Sequence, residues 1–158
     1  MVKEKQKDFA RRISQANKTE LVVITYDIIL EEISEARKFR DMENLEDYRH
    51  AMKQAQRFLA ELMSVLDFRY ELSLQLMSLY EYVQRIFVKC DITAECSGLV
   101  SAENVLKGLR TSFEQVAKQD NSGSVMGNTE SVFAGLTYGR DSLNEYSTAA
   151  GGNRGYLA

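Results

Sequence analysis

The 158-residue sequence has no proline and no tryptophan, one histidine and two cysteines. Ordinary usage near 5% would place about eight prolines in such a chain, so the commonest helix breaker is missing and long helices are permitted. No stretch approaches the ~18 consecutive apolar residues of a membrane span, and the N-terminus has no apolar signal region. The two cysteines, Cys90 and Cys96, are too few for a disulfide framework and read as reduced thiols of a cytosolic protein. A net charge of −3 is too close to neutral to draw the whole domain to nucleic acid or to a membrane surface.

The usual catalytic apparatus is missing as well. His50, the one histidine, forms an acid-x-x-His pair with Asp47, but a dimetal site in a four-helix protein needs that pair twice, with two further glutamates. His50 is also expected on the solvent side of its helix. There is no P-loop, no dinucleotide fingerprint, and no nucleophile beside a histidine and a positioning acid. Tyr80-Glu81-Tyr82 suggests a base-stacking platform only where a basic groove accompanies it, and none does. The sequence therefore predicts no enzyme, no metal, no cofactor and no nucleic-acid partner.

What the chain does have is helical periodicity. Residues 17–40 read as one long helix opened by a capping box, in which the Asn17 side chain accepts a helix N–H and Glu20 reaches back. At 100° per residue, Ala36, Ile29, Val22, Ile33, Tyr26, Leu30 and Val23 fill an arc of roughly 140°, an ordinary core stripe. A second stripe of Leu21, Ile24, Ile28 and Phe39 lies elsewhere on the same helix. One helix thus has two apolar contacts to make, and the second must be with another segment, another subunit or a foreign chain.

The remaining chain supplies the partners for the first. Asn44 is expected to cap a helix to about Leu66, with Tyr48, Met52, Ala55, Leu59, Leu62, Met63 and Leu66 inward and Phe58 and Val65 widening that face. A third bundle helix, residues 70–89, has Leu72, Leu76, Leu79, Tyr80, Val83, Ile86 and Phe87 inward, and a thinner extra stripe of Leu74, Met77 and Val88. Asp91 or Thr93 is expected to cap the last helix, which runs to Gln119 with Leu99, Ala102, Val105, Leu106, Leu109, Phe113 and Val116 inward. The short turns between helices imply antiparallel neighbours.

Two segments flank this part. Residues 1–16 place Val2, Phe9, Ile13 and Ala16 at helical spacing and suit a short arm that covers part of the second stripe through Phe9 and Ile13. From Asp120 onward the composition changes: seven of the nine glycines fall between Gly123 and Gly155, among many Ser, Thr and Asn. Val132, Phe133, Leu136, Tyr138, Leu143, Tyr146, Tyr156 and Leu157 recur there as apolar anchors. The expected architecture is all-α: an antiparallel up-down four-helix bundle over residues 17–119, an N-terminal arm over 1–16 and a Gly/Ser/Asn-rich irregular tail over 120–158.

Four local patterns, in order and at matching spacings, resemble the flagellar secretion chaperone family FliS across about residues 9–119. They are Asn17-Lys18-Thr19-Glu20-Leu21 followed by Thr25-Tyr26-Asp27-Ile28; Leu62 through Glu71 at the second junction; Leu76-Met77-Ser78-Leu79-Tyr80-Glu81-Tyr82 with Arg85-Ile86; and Leu109-Arg110-Thr111-Ser112-Phe113. Departures are Ile28 where the family usually has glycine, a Lys-rich arm with Phe9 in place of a leading tyrosine, and a tail beyond the common core.

The resemblance implies a cytoplasmic export chaperone that binds the C-terminal region of flagellin, prevents premature polymerisation and delivers it to the flagellar type III export gate. An amphipathic client that wraps a chaperone needs matching apolar grooves rather than a small pocket. The surplus stripes supply them, so the expected flagellin-binding residues are Leu21, Ile24 and Ile28, with Asp27 beside them, and Leu74 and Met77 on the third bundle helix. Tyr26 and Tyr80 fall in the core arcs. A monomer or weak homodimer is expected. The alternative is a self-associating helical bundle in which the second stripe closes a homodimer. The tail is read as either flexible or docked on the protein's own surface, and in the docked reading Phe133, Leu136 and Tyr138 occupy the client groove until a client displaces them.

Overall fold

The structure, a computed structural model, describes residues 3–126. Five helices follow one another without a strand among the described residues: α1 Lys3–Gln15, α2 Lys18–Asp41, α3 Leu45–Ser64, α4 Glu71–Thr93 and α5 Leu99–Ala117. None of these is long and apolar enough to cross a membrane. The tail anchors from Val132 to Leu157, and Val2 of the arm, lie outside the described residues.

Local chemistry sets most of the boundaries. Asn17 adopts an extended backbone between α1 and α2, its side chain accepts from the Glu20 N–H at 2.8 Å, and Glu20 accepts from the Asn17 N–H at 2.9 Å. This complete capping box separates two helices that would otherwise run into each other. At the far end of α2, Glu43 takes the left-handed conformation with φ 57°, and Asn44 caps α3 by accepting from the Asp47 N–H. The chain reverses within three residues.

The boundary between α4 and α5 differs from the expected one. α4 runs on through Asp91 to Thr93, and α5 opens at Leu99 after Gly98 instead of being capped by Asp91 or Thr93. Tertiary contacts hold the extra turn. Cys90 is buried, its carbonyl accepts from the Tyr48 hydroxyl at 2.8 Å, and Arg40 donates from Nε to the Ala94 carbonyl at 2.6 Å. That guanidinium satisfies a carbonyl at the end where the helix dipole is negative. A Cβ at Gly98 would lie 3.2 Å from Ile86 Cγ2, a tight contact that the Ile86 side chain would have to relieve by a small shift.

α2 packs on α3 and α5, α3 on α4, and α4 on α5, so these four close on one another around a shared core; α1 packs on α2. Two contacts along α2 occur in reverse order along α5, Asp27 with Arg110 and Arg37 with Glu103, and Thr19 at the start of α2 meets Asp120 just past the end of α5. The two helices therefore run antiparallel. Tyr26, Ile29, Ile33, Tyr48, Met52, Leu59, Tyr80, Val83, Phe87, Leu99 and Leu106 are almost fully enclosed in the core.

Several expected core residues fall outside it. On α4 the buried seam is Leu76, Tyr80, Val83, Phe87 and Cys90, a narrow 4-3-4-3 line, and Leu72 and Leu79 are exposed on its flank. Val65 ends up exposed in the turn after α3, and Val116 is exposed near the end of α5. Phe39, expected on the second stripe of α2, packs on the main core.

Candidate functional site

The second stripe of α2 forms a separate small cluster. Ile24 and Ile28, 4% and 5% exposed, are buried together with Ala16, and Phe9, Ile13, Leu21 and Phe58 pack around them. Phe9 and Ile13 are four residues apart on α1, so they lie on one face and meet the matching face of α2. The N-terminal helix thus covers the stripe, although none of its own residues is fully buried. The covered isoleucines are interior; the covering side chains are only half so.

Charge fixes the edge of this contact. The Asp27 carboxylate receives Arg12 of α1 at 2.6 Å and Arg110 of α5 at 2.5 Å, and Arg110 also reaches Glu114 at 3.2 Å. Lys5 pairs with Glu31 farther along, and Arg12 stacks over the Phe9 ring at 5.5 Å. The Asp27 pairing raises the affinity of the Arg110 guanidinium for its proton. Asp27 is therefore occupied in this state by two guanidinium groups.

Magnitudes identify the dominant holding force. Partly exposed ion pairs contribute about 0–1 kcal/mol each. Burying an isoleucine side chain contributes about 1.5–3 kcal/mol, so the two isoleucines outweigh the ion pairs.

Beside the cluster lies a cavity of about 400 Å³, lined by Arg12, Ala16, Glu20, Ile24, Glu114 and Lys118 among others. It opens between α1, the start of α2 and the end of α5. The other expected site residues are not gathered here: Leu74 is exposed and Met77 half-buried on α4, and neither belongs to the cluster.

The structure also brings together residues that the sequence patterns held apart. The hydroxyls of Tyr26 and Tyr80 meet at 2.5 Å inside the core, and the Phe113 ring lies 5.8 Å from that of Tyr26. Burial pushes both phenols well above their ordinary ionisation range. Asp27 and Arg110 pair on the adjoining surface. The first, third and fourth sequence patterns thus converge on one spot. The complementary charges of Asp27 and Arg110 within two of those patterns were the available clue. Phe58, which touches both the main core and the small cluster, carried no such sign.

His50 is exposed, Cys90 and Cys96 are free thiols, and no cluster suited to a metal occurs among the described residues. Among the described residues, the arrangement is all-helical, with a large core and a second apolar cluster roofed by the N-terminal helix. The family model described as flagellar protein FliS matches residues 1–120, and the chain belongs to this family of flagellar export chaperones. No individual curated protein matches the chain.

Proposed function

We propose that this chain is a cytosolic chaperone that binds the C-terminal region of flagellin, keeps it from polymerising and delivers it to the flagellar type III export gate. Its working parts are an arm over residues 1–16, an antiparallel up-down four-helix bundle over 17–119 and a tail over 120–158. The observation that carries this reading is the burial of Ile24 and Ile28 beneath a single half-exposed helix. An amphipathic flagellin segment can use the same apolar spacing that Phe9 and Ile13 use.

Leu21, Ile24 and Ile28 form the floor of the client groove, Asp27 marks its charged edge, and Phe9 and Ile13 act as its removable cover. Leu74 and Met77 extend the client contact onto α4, where a long wrapped segment would reach them. Ordering a disordered client costs free energy, which a broad contact offsets and a small pocket does not.

The test is calorimetric titration of the full chain with a peptide spanning the C-terminal region of flagellin, repeated with Ile24→Asp and Ile28→Asp. Saturable binding to the parent and loss in both variants, with helical circular dichroism retained, is the expected result. Absence of binding to the folded parent would sink the reading and leave the self-associating bundle, which sedimentation would then examine.

A further inference from the structure

The chain after α5 turns back onto the junction between α1 and α2. Asp120 accepts from the Thr19 hydroxyl at 2.6 Å through its carboxylate and from Asn17 Nδ2 at 3.2 Å through its carbonyl. Five residues later the Val125 N–H donates to the Ala16 carbonyl at 3.0 Å, and the Ser124 hydroxyl reaches the Ser14 carbonyl at 3.5 Å. The segment is internally ordered as well, since the Ser122 N–H donates to the Asp120 carboxylate at 3.0 Å.

These contacts fall on both sides of one hinge. Asn17 and Thr19 belong to the capped start of α2, which the main core holds in place. Ser14 and Ala16 carry terminal carbonyls of α1, groups that a helix end leaves without an intrahelical partner. Lifting α1 about the junction at Ala16 and Asn17 would break the bonds to Ser14 and Ala16 and leave those to Asn17 and Thr19 intact. The family match ends at residue 120, so Ser122, Ser124 and Val125 lie beyond it.

We propose that residues 120–126 are a latch that spans the hinge and holds α1 down on the Ile24–Ile28 stripe. The latch sets how often the stripe is uncovered. Its consequence for a client rests on the reading of that stripe as the flagellin groove; the restraint on α1 does not.

The two statements separate in one experiment on the full chain. Val125→Pro removes the N–H that reaches Ala16, Val125→Ala keeps it, and Thr19→Val removes a bond on the anchored side. Backbone hydrogen exchange would be followed in α1, with α3 as the internal reference. Detached, a helix of 13 residues is barely stable in water, so opening exposes its amides to exchange. Loss of one hydrogen bond is expected to speed α1 exchange about three- to tenfold in Val125→Pro, and by under about twofold in Val125→Ala. Thr19→Val should also speed it, with α3 unchanged in every case.

Unchanged α1 exchange in both Val125→Pro and Thr19→Val overturns the latch. Should Val125→Pro loosen α3 as well, Thr19→Val decides alone. Titration with the flagellin C-terminal peptide supplies the second readout. Faster α1 exchange with tighter peptide binding supports the latch and the groove together; faster exchange with unchanged binding supports the latch and overturns the groove.

Discussion

The two apolar faces of α2 are built from similar residues and held in different ways. One face gives Tyr26, Ile29 and Ile33 to a core closed by α3, α4 and α5, where large side chains are enclosed from several directions. The other gives Ile24 and Ile28 to a cluster roofed by α1, which has no buried residue of its own. Burial of a side chain therefore does not reveal how firmly it is covered. The first face is closed by three helices, and the second is roofed by one short helix with no buried residue.

The comparison predicts a ranked set of effects. Phe87→Ala removes a fully enclosed ring from the main core and should lower the stability of the whole domain by about 3–5 kcal/mol in urea denaturation. Phe9→Ala removes a half-buried ring from the cover and should shift the global transition by about 1 kcal/mol or less while making α1 more sensitive to proteolysis. Equal shifts in the global transition would erase the distinction between the faces.

The buried tyrosine pair sharpens the first half of the comparison. Tyr26→Phe or Tyr80→Phe leaves the partner hydroxyl without its hydrogen bond and should cost about 1–3 kcal/mol. The double variant should cost less than the sum of the two, because neither buried hydroxyl is then left behind. A double-mutant cycle in denaturant measures this coupling, and strict additivity would remove the pair from the account of the core.

Charge at the cover should matter less. Arg12→Ala breaks the link between α1 and Asp27 while Arg110 remains paired, so a change of about 1 kcal/mol or less is expected, reduced further by salt. Its readout is the salt dependence of α1 exchange. A large effect that fades as salt is added would mean that electrostatics, and not apolar burial, holds the cover.

Acid should produce the smallest change over the ordinary range. Hydrogen bonds from Ser122 and Thr19 hold the Asp120 carboxyl down from 3.8 to about 2. A carboxylate depressed on folding stabilises above its ordinary range and loses that contribution as pH falls through its lowered value. The contact to Thr19 should be level from neutral pH to about 5 and weaken between about 4 and 2, with Asp120→Asn flattening that limb. Protection of α1 measured against pH would show it.

Much of the architecture was legible along the chain because its determinants are local. The capping box of Asn17 and Glu20, the Asn44 cap and the 3.6-residue periodicity each involve residues within one or two helical turns. The end of α4 was not legible, because its last turn is held by Tyr48 and Arg40, which are distant in sequence. Leu72 and Leu79 fit an inward stripe by spacing alone, and the narrow seam that α4 buries leaves them outside.

The candidate site divides in the same way. That α2 carries two apolar faces, and that Phe9 and Ile13 suit one of them, follows from periodicity, so the sequence by itself determined the surplus stripe and a cover for it. Only the tertiary structure decided that Asp27 joins Arg12 and Arg110, that Phe58 flanks the cluster, and that residues 120–126 return to the hinge. Periodicity reports which face of a helix is apolar. Which distant segment reaches that face depends on how the helices close around the core, and no local pattern encodes it.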